Sequence, residues 1–372
     1  MMRSLHLTNF KCFERLEVPF GGLTLLSGLN SSGKSTIIQA LLLLRQSFQE
    51  GLLPDRGVAL NGQLTQIGTA KDALFEEAEQ DELGFELRSD GDRNIRLRFL
   101  YREESDVLEV ISPYATDSAW SESLFQDRFQ YLRAERIGPR TSFDTSDYEV
   151  RHHRQLGSGG EYTVHFLSLF GSELVEAEAV RHSMATSNTL LTHVEAWMAE
   201  ISPGIRLNVR HYAEMDLMSL GLSYLLGHQV VSSSYRPTNV GFGITYALPV
   251  VVAVLGARPG SLLIVENPEA HLHPRGQVKM GELLARAATA GVQVLIETHS
   301  DHVLNGIRLA VHDGYASPND INIFYNSWRA GSKSPLVTQL EIHRDGRLSG
   351  WPDGFFDEFE KSLDKLMVPH DE

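Results

Sequence analysis

The chain holds one cysteine, Cys12, in 372 residues. A lone thiol excludes a disulfide framework and fits a reducing cytosol. Long apolar runs are missing too. The most apolar stretch, Tyr246 to Ala257, is too short to span a bilayer and contains Pro249, so it reads as a buried core helix. No N-terminal stretch has the basic-then-apolar pattern of a secretory signal. Positive charge is scarce: 33 Lys and Arg face 48 Asp and Glu, a formal net charge of -15. That balance opposes a broad nucleic-acid footprint, which must neutralise phosphates. The clustered Arg133, Arg136 and Arg140 read instead as partners of carboxylates or of a nucleotide phosphate. Sustained heptads and internal repeats are also lacking, which excludes a long coiled-coil arm. An Asp-x-Asp pair occurs only at Asp90-Gly91-Asp92, inside a turn between two strand-like runs. Turn chemistry explains it better than a two-metal nuclease site does.

What is present is a soluble globular composition, 42% hydrophobic and 22% charged, long enough for one large or two ordinary domains. Its most informative stretch is Gly28-Leu29-Asn30-Ser31-Ser32-Gly33-Lys34-Ser35-Thr36. It lies between the strand-like Leu23 to Leu26 and the helix-like Ile37 to Leu44, the setting that a phosphate-cradling P-loop requires. Glycines at 28 and 33 let the backbone turn closely round phosphates. The N–H groups from Asn30 through Thr36 and the following helix N-terminus then converge on phosphate oxygen. Lys34 supplies a point charge to the β- and γ-phosphates, and the Ser35 hydroxyl can ligate Mg2+. A glycine-rich turn before an ordinary helix would not explain this lysine and this hydroxyl together. The cofactors expected are therefore ATP and Mg2+.

Alternation predicts a strand from Met2 to Phe10, a second reaching Phe20, and an antiparallel meander over residues 84–112. Residues 113–235 mix short strands with helices, notably Thr189 to Ile201. From residue 236 strands alternate with helices: strand Leu262 to Val265, helix Gly276 to Ala290, strand Val292 to Ile296, helix Ser300 to Val311, strand Ile321 to Tyr325. That alternation implies a mostly parallel sheet. The tail, with Phe356, Phe359, Leu363 and Leu366 at helical spacing, predicts a helix docked on the core.

Two further segments carry chemistry. Leu262 to Glu266 is an apolar strand ending in an acid, followed by Asn267, Pro268 and Glu269. A P-loop enzyme needs a carboxylate there, holding Mg2+ opposite Ser35, and Glu266 fits. Glu297-Thr298-His299-Ser300 ends the next strand, where His299 can sense the γ-phosphate or stabilise developing charge. His271, His273 and His302 do not suggest a shared ion, because two histidines at that spacing splay apart.

Taken with these, Leu7 to Phe13, Asn239 to Ile244, Glu266 to Pro274 and Thr298 to His302 give a set, in this order, that resembles ATP-binding-cassette-type ATPases of the AAA branch. The likeness is to the overcoming-lysogenization family and, more distantly, to SMC proteins. Tyr131 to Arg140 and the ending Gly350 to Phe356 resemble this branch as well. The resemblance implies an α/β fold: an ABC-type P-loop ATPase head with a mixed, mainly parallel sheet core, an antiparallel β layer and a helical insert. It divides the chain into an N-terminal lobe with the P-loop (1–112), a mixed insert or lid (113–235), a C-terminal lobe with signature, acid strand and switch histidine (236–345), and a helical tail (346–372). In such a family two subunits sandwich two ATPs head-to-tail. The resemblance then places Gly241 and Gly243 against the γ-phosphate of a partner's nucleotide, makes His299 the switch histidine, and brings Lys11 towards the nucleotide.

Two departures matter. The signature reads Gly241-Phe242-Gly243 rather than Ser-Gly-Gly or Ser-Ser-Gly. The acidic pair reads Glu266-Asn267, so the residue that normally polarises the attacking water is an amide that cannot take a proton. Losing a general base costs roughly 10²–10⁴-fold in rate. Slow hydrolysis follows unless Glu269 or His299 compensates. The resemblance also implies a homodimer, a protein effector encoded nearby, no membrane, and a setting in defence against phage or foreign DNA. It covers both ends of the chain but leaves no room for a nuclease domain after His302.

Overall fold

The computed structural model describes residues 1–226 and 230–367. The chain opens with strands β1 (Met2–Phe10), β2 (Phe13–Pro19) and β3 (Leu23–Gly28), then helix α1 (Lys34–Gln49). β4 (Gly57–Ala59), α2 (Ala70–Ala73), β5 (Glu82–Ser89), β6 (Arg93–Leu100) and β7 (Val107–Ala115) follow. The middle supplies β8 (Phe129–Leu132), β9 (Phe143–Asp144), α3 (Thr163–Phe170), α4 (Leu190–Ile201), β10 (Ile205–Tyr212), β11 (Leu217–Leu226) and β12 (Val230–Val231). The last third alternates: α5 (Phe242–Gly256), β13 (Leu262–Glu266), α6 (Pro274–Thr289), β14 (Gln293–Glu297), α7 (Asp301–His312), β15 (Ile321–Ser327), β16 (Leu336–Leu340), α8 (Glu358–Met367).

The central sheet has the order β16-β15-β3-β14-β13-β8. All its pairs are parallel except β15–β16. Its inner strands read as unbroken apolar runs because both faces are covered. Alternate residues feed separate cores. Leu25, Leu263, Val265, Val294 and Ile296 pack towards α4, α5, α6 and α7. Leu26, Ile264 and Leu295 pack towards α1 and the antiparallel layer. That layer, β2-β1-β5-β6-β7-β4, is antiparallel throughout. It takes its inward face from the alternation of Leu5, Leu7, Phe85, Leu87, Leu97 and Phe99. Asp90 and Asp92 sit in the β5–β6 turn, where Asp90 meets the terminal amine at 3.3 Å.

The middle segment does more than insert helices. Its β8 pairs with β13 and closes one edge of the central sheet, while β9, β10, β11 and β12 form a third, antiparallel sheet. Pro249 lies inside α5, which is buried as expected for the apolar run.

The tail differs from expectation. The docked element is the loop before α8, where Phe355 is 1% exposed against Tyr325 and Trp351. Helix α8 itself has no buried residue: Phe359 is 74% exposed and Leu366 82% exposed. The helical spacing of apolar residues forms the helix but finds no face of the described chain to cover it. Residues 368–372 of the expected tail lie outside the described residues.

Candidate nucleotide site

The P-loop leaves β3 at Gly28, where φ is +138° and a Cβ would lie 2.1 Å from the Asn326 carbonyl oxygen of β15. At Gly33 φ is +88° and a Cβ would strike the Phe13 ring at 2.5 Å. Both glycines are therefore dictated by close approach as well as by left-handed geometry. β15 braces the loop. Asn326 Nδ2 donates to the Ser32 carbonyl at 3.1 Å, and Trp328 Nε1 donates to the Ser31 carbonyl at 3.1 Å. The cradle so formed opens into a cavity of about 480 Å³ lined by Lys11, Cys12, Asn30, Ser31, Ser32, Gly33, Lys34, Ser35, Thr36, Gln39, Glu297 and His299. That volume lies within the usual range for small-molecule sites.

Lys34 Nζ donates to the carbonyls of Gly28 and Leu29 at 2.9 and 2.7 Å. Burial holds its pKa below the ordinary lysine value, opposed by the charge of Glu297. Lys11 reaches the same cavity and donates to Gln39 Oε1 at 2.9 Å. The Ser35 hydroxyl donates to Glu297, lying 3.1 and 3.0 Å from its two oxygens. Burial pushes the Glu297 carboxyl up to about 7, Glu266 adds to the rise, and Lys34 and Ser35 oppose it.

Glu266 sits one strand further out, because β14 lies between β3 and β13. One of its oxygens accepts from the Tyr131 hydroxyl at 3.0 Å and the other from the Ala134 N–H at 3.1 Å. Burial raises the Tyr131 hydroxyl above its ordinary pKa, so it donates at any working pH. Glu269 braces the next turn: Thr298 Oγ1 donates to it at 2.7 Å and the His299 N–H at 2.9 Å. With both oxygens so used, Glu269 positions His299. The imidazole lines the cavity, and burial holds its pKa below the ordinary value, with Lys34 adding to the drop and Glu269 opposing it.

Asn267 has φ of +44°, a left-handed conformation that asparagine tolerates better than glutamate. Its N–H donates to the Glu297 carbonyl at 2.8 Å, and its carbonyl accepts from Arg136 Nη2 at 2.6 Å. Arg136 is buried, 2% exposed, and forms no ion pair with a carboxylate among the described residues. Its guanidinium donates to the carbonyls of Arg133 at 3.1 Å, Tyr246 at 3.1 Å, Glu266 at 2.7 Å and Asn267. The expectation that it pairs with an acid or a phosphate is corrected: it satisfies backbone oxygens where β13, α5 and the segment after β8 meet.

Gly241 and Gly243 stand apart from the P-loop cavity of their own chain. Gly241 caps α5 and has open space around it. Gly243 is glycine for a local reason, since a Cβ there would lie 2.6 Å from the His271 carbonyl oxygen. The His271 ring packs against Tyr246, and His273 Nδ1 accepts from the Arg275 N–H at the start of α6.

Glu297, Asn326 and Trp328 are site residues that pattern reading did not assign. Only Glu297 carries a sequence signal, being an acid that ends an apolar strand just as Glu266 does. The donors present fit the cofactors expected. A glycine-enforced cradle of N–H groups with a lysine suits a triphosphate, and a hydroxyl beside a carboxylate gives hard oxygen donors for Mg2+.

A family model described as "AAA ATPase domain" matches residues 1–193, more than half of the 372-residue chain. A second, "AAA domain, putative AbiEii toxin, Type IV TA system", matches residues 218–305. A third, "Protein of unknown function (DUF3696)", matches residues 317–366. No curated protein matches. Among solved structures, the Smc head bound to the C-winged helix domain of ScpA is similar at 15% identity and a TM-score of 0.52, covering 92% of this chain and 98% of that one. The Smc head domain with an extended coiled coil, bound to the C-terminal domain of ScpA derived from Pyrococcus furiosus, is similar at 14% identity and a TM-score of 0.51, covering 99% of each chain. Unlike that neighbour, the described residues contain no helix longer than the 16 of α1 and α6. The fold is that of an SMC head, and the chain belongs to the family of AAA ATPase domains.

Proposed function

We propose that this chain binds Mg2+ and ATP in the P-loop cavity, hydrolyses the nucleotide slowly, and closes head-to-tail on a second copy so that a partner effector reads ATP occupancy. The observation that carries the reading is the cradle itself: two glycine positions enforced by neighbouring atoms, with Lys34 and Ser35 opening the following helix. On ATP entry Lys34 exchanges its bonds to the Gly28 and Leu29 carbonyls for phosphate oxygens. Bound Mg2+ would neutralise charge across the β- and γ-phosphates. His299, held by Glu269, faces the same cavity and offers its imidazole to the terminal phosphate.

Head-to-tail closure is supported by the place of Gly241. It heads a 15-residue helix with free N–H groups, is exposed, and lies outside its own nucleotide cavity. Slow hydrolysis is supported by Asn267, an amide where a base would stand. Solution mass by light scattering tests the closure. Wild type should double its mass with ATP and Mg2+, and Lys34→Ala and Gly241→Glu should not. An unchanged wild-type mass despite measured ATP binding sinks the dimer. The effector and the defence setting rest on the resemblance. ATP-dependent pull-down from the native host, and plaque counts with and without Lys34→Ala, test them.

A further inference from the structure

Helix α8 presents Phe359, Leu363 and Leu366 at i, i+4 and i+7, a stripe along one face. They are 74%, 45% and 82% exposed. A helix of ten residues is marginal on its own in water, so this stripe needs a cover. The root of α8 shows where the cover must come from. Tyr325 Oη donates to the Asp353 carbonyl at 3.1 Å, and Lys361 meets Asp357 at 2.9 Å. Gly354 to Glu358 then line a cavity of about 410 Å³ together with Gly28, Leu29 and Asn30 of the P-loop and with His299. β15 holds this root and braces the P-loop as well, through Asn326 and Trp328. Helix α8 therefore leaves the body at the rim of the nucleotide site.

A second uncovered apolar surface belongs to the segment that leads to Gly241. Leu225, Leu226 and Val231 are 40%, 55% and 54% exposed. Tyr235 exchanges backbone bonds with Leu222 of β11 at 2.7 and 2.8 Å, which ties the approach to Gly241 to that strand. Phe242, beside Gly241, is 56% exposed. From Leu217 to Phe242 the sequence holds no acid and one arginine, the exposed Arg236. Nothing there repels the acids Glu358, Glu360 and Asp364 of α8. Resting on the head-to-tail reading above, we propose that α8 is a clasp, its apolar stripe covered on closure by the Leu225 to Phe242 segment of a second copy. A two-fold pair that sets each P-loop against the other copy's Gly241 makes this contact twice. A lipid or nucleic-acid surface suits the stripe less well, because α8 has three acids against two lysines. Since β15 braces both the P-loop and the root of α8, nucleotide occupancy and clasp position share one strand.

The test uses the full-length chain with Mg2+ and a non-hydrolysable ATP analogue. Analytical ultracentrifugation reads the dimer constant, and equilibrium dialysis of dilute, monomeric protein reads analogue affinity. Phe359→Ser, Leu363→Ser and Leu366→Ser together should weaken the dimer at least about tenfold and leave analogue affinity within about twofold of wild type, since large apolar anchors dominate such contacts. None of the three is buried, so the body should fold as before. As a second readout, Leu363→Cys in one tagged chain and Leu226→Cys in another should be joined by a short bismaleimide only in the mixture and only with the analogue. A triple variant that dimerises as tightly as wild type overturns the clasp. So does cross-linking of Leu363→Cys chains to one another in preference to the mixture. A host protein captured by wild type and lost from the triple variant, with the dimer constant unchanged, overturns the second copy as occupant. A wild-type chain that binds the analogue yet stays monomeric overturns the closure reading and the clasp with it.

Discussion

Replacing Glu297 by Gln should stabilise the nucleotide-free chain, and the gain should grow with pH. The carboxyl is buried, and its pKa stands at about 7 against an ordinary 4.5, burial being the main cause and Glu266 the next. Below pH 4.5 folded and unfolded chains both hold the proton, so the group contributes no pH-dependent term. Between 4.5 and about 7 the unfolded chain releases its proton first, and stability falls as pH rises. Above that range the loss is complete. An interval of 7 − 4.5 = 2.5 pH units, at about 1.36 kcal/mol each, amounts to roughly 3 kcal/mol. Gln keeps the shape and can still accept from Ser35, so the substitution removes the charge and little else. Urea denaturation followed by circular dichroism, in EDTA at pH 5, 6 and 8, measures the effect. The variant should be more stable by less than about 1 kcal/mol at pH 5 and by roughly 3 kcal/mol at pH 8. A variant that is less stable at pH 8, or one whose advantage is the same at every pH, refutes the reasoning.

Asn267→Asp should raise steady-state phosphate release by about 10²-fold or more, since aspartate accepts a proton and tolerates the left-handed backbone at +44°. Asn267→Glu should gain less, because its longer side chain fits that conformation poorly, and a fast wild-type enzyme would remove the premise. Gly243→Ala should cost about 1–3 kcal/mol in a denaturation midpoint, because its Cβ meets the His271 carbonyl at 2.6 Å. Gly241→Ala, with φ of -61° and open space, should leave that midpoint unchanged. Arg136→Lys should destabilise by about 2–4 kcal/mol, since one ammonium cannot reach four carbonyls in separate segments and those left behind are buried.

Much of the fold was legible because the local signals agree with one another. Alternation gave β1 and the β5–β7 meander, and the apolar runs at 262–265 and 292–296 became the inner strands they resemble. The P-loop could be read outright, since a strand, a loop and a helix in fixed order constrain its geometry before any tertiary contact forms. What escaped was whatever depends on strand order. Nothing in the run from Leu262 to Glu266 says that β14 will lie between it and β3, yet that placement puts Glu297 beside Ser35 and leaves Glu266 one strand away. Arg136 escaped for a related reason. Its arginine neighbours suggest carboxylate or phosphate partners, while most of its acceptors are carbonyls drawn from distant sequence positions. The tail misled because helical spacing forms an amphipathic helix without stating what covers it. Here the anchoring falls to Phe355, just before the helix begins.

Arg136 also sets a mechanical condition on the molecule. One rigid guanidinium joins a carbonyl of α5, which begins at the exposed Gly241, to the carbonyls of Glu266 and Asn267 at the end of the acid strand. A force that shifts α5 must carry the strand end with it or leave a buried cation short of an acceptor, at a cost of about 1–3 kcal/mol. A displacement of the buried α5 is thus passed to the end of the acid strand by this side chain as well as by direct packing, and from the Asn267 N–H to the Glu297 carbonyl beside the phosphate pocket, in the manner of a linkage rod.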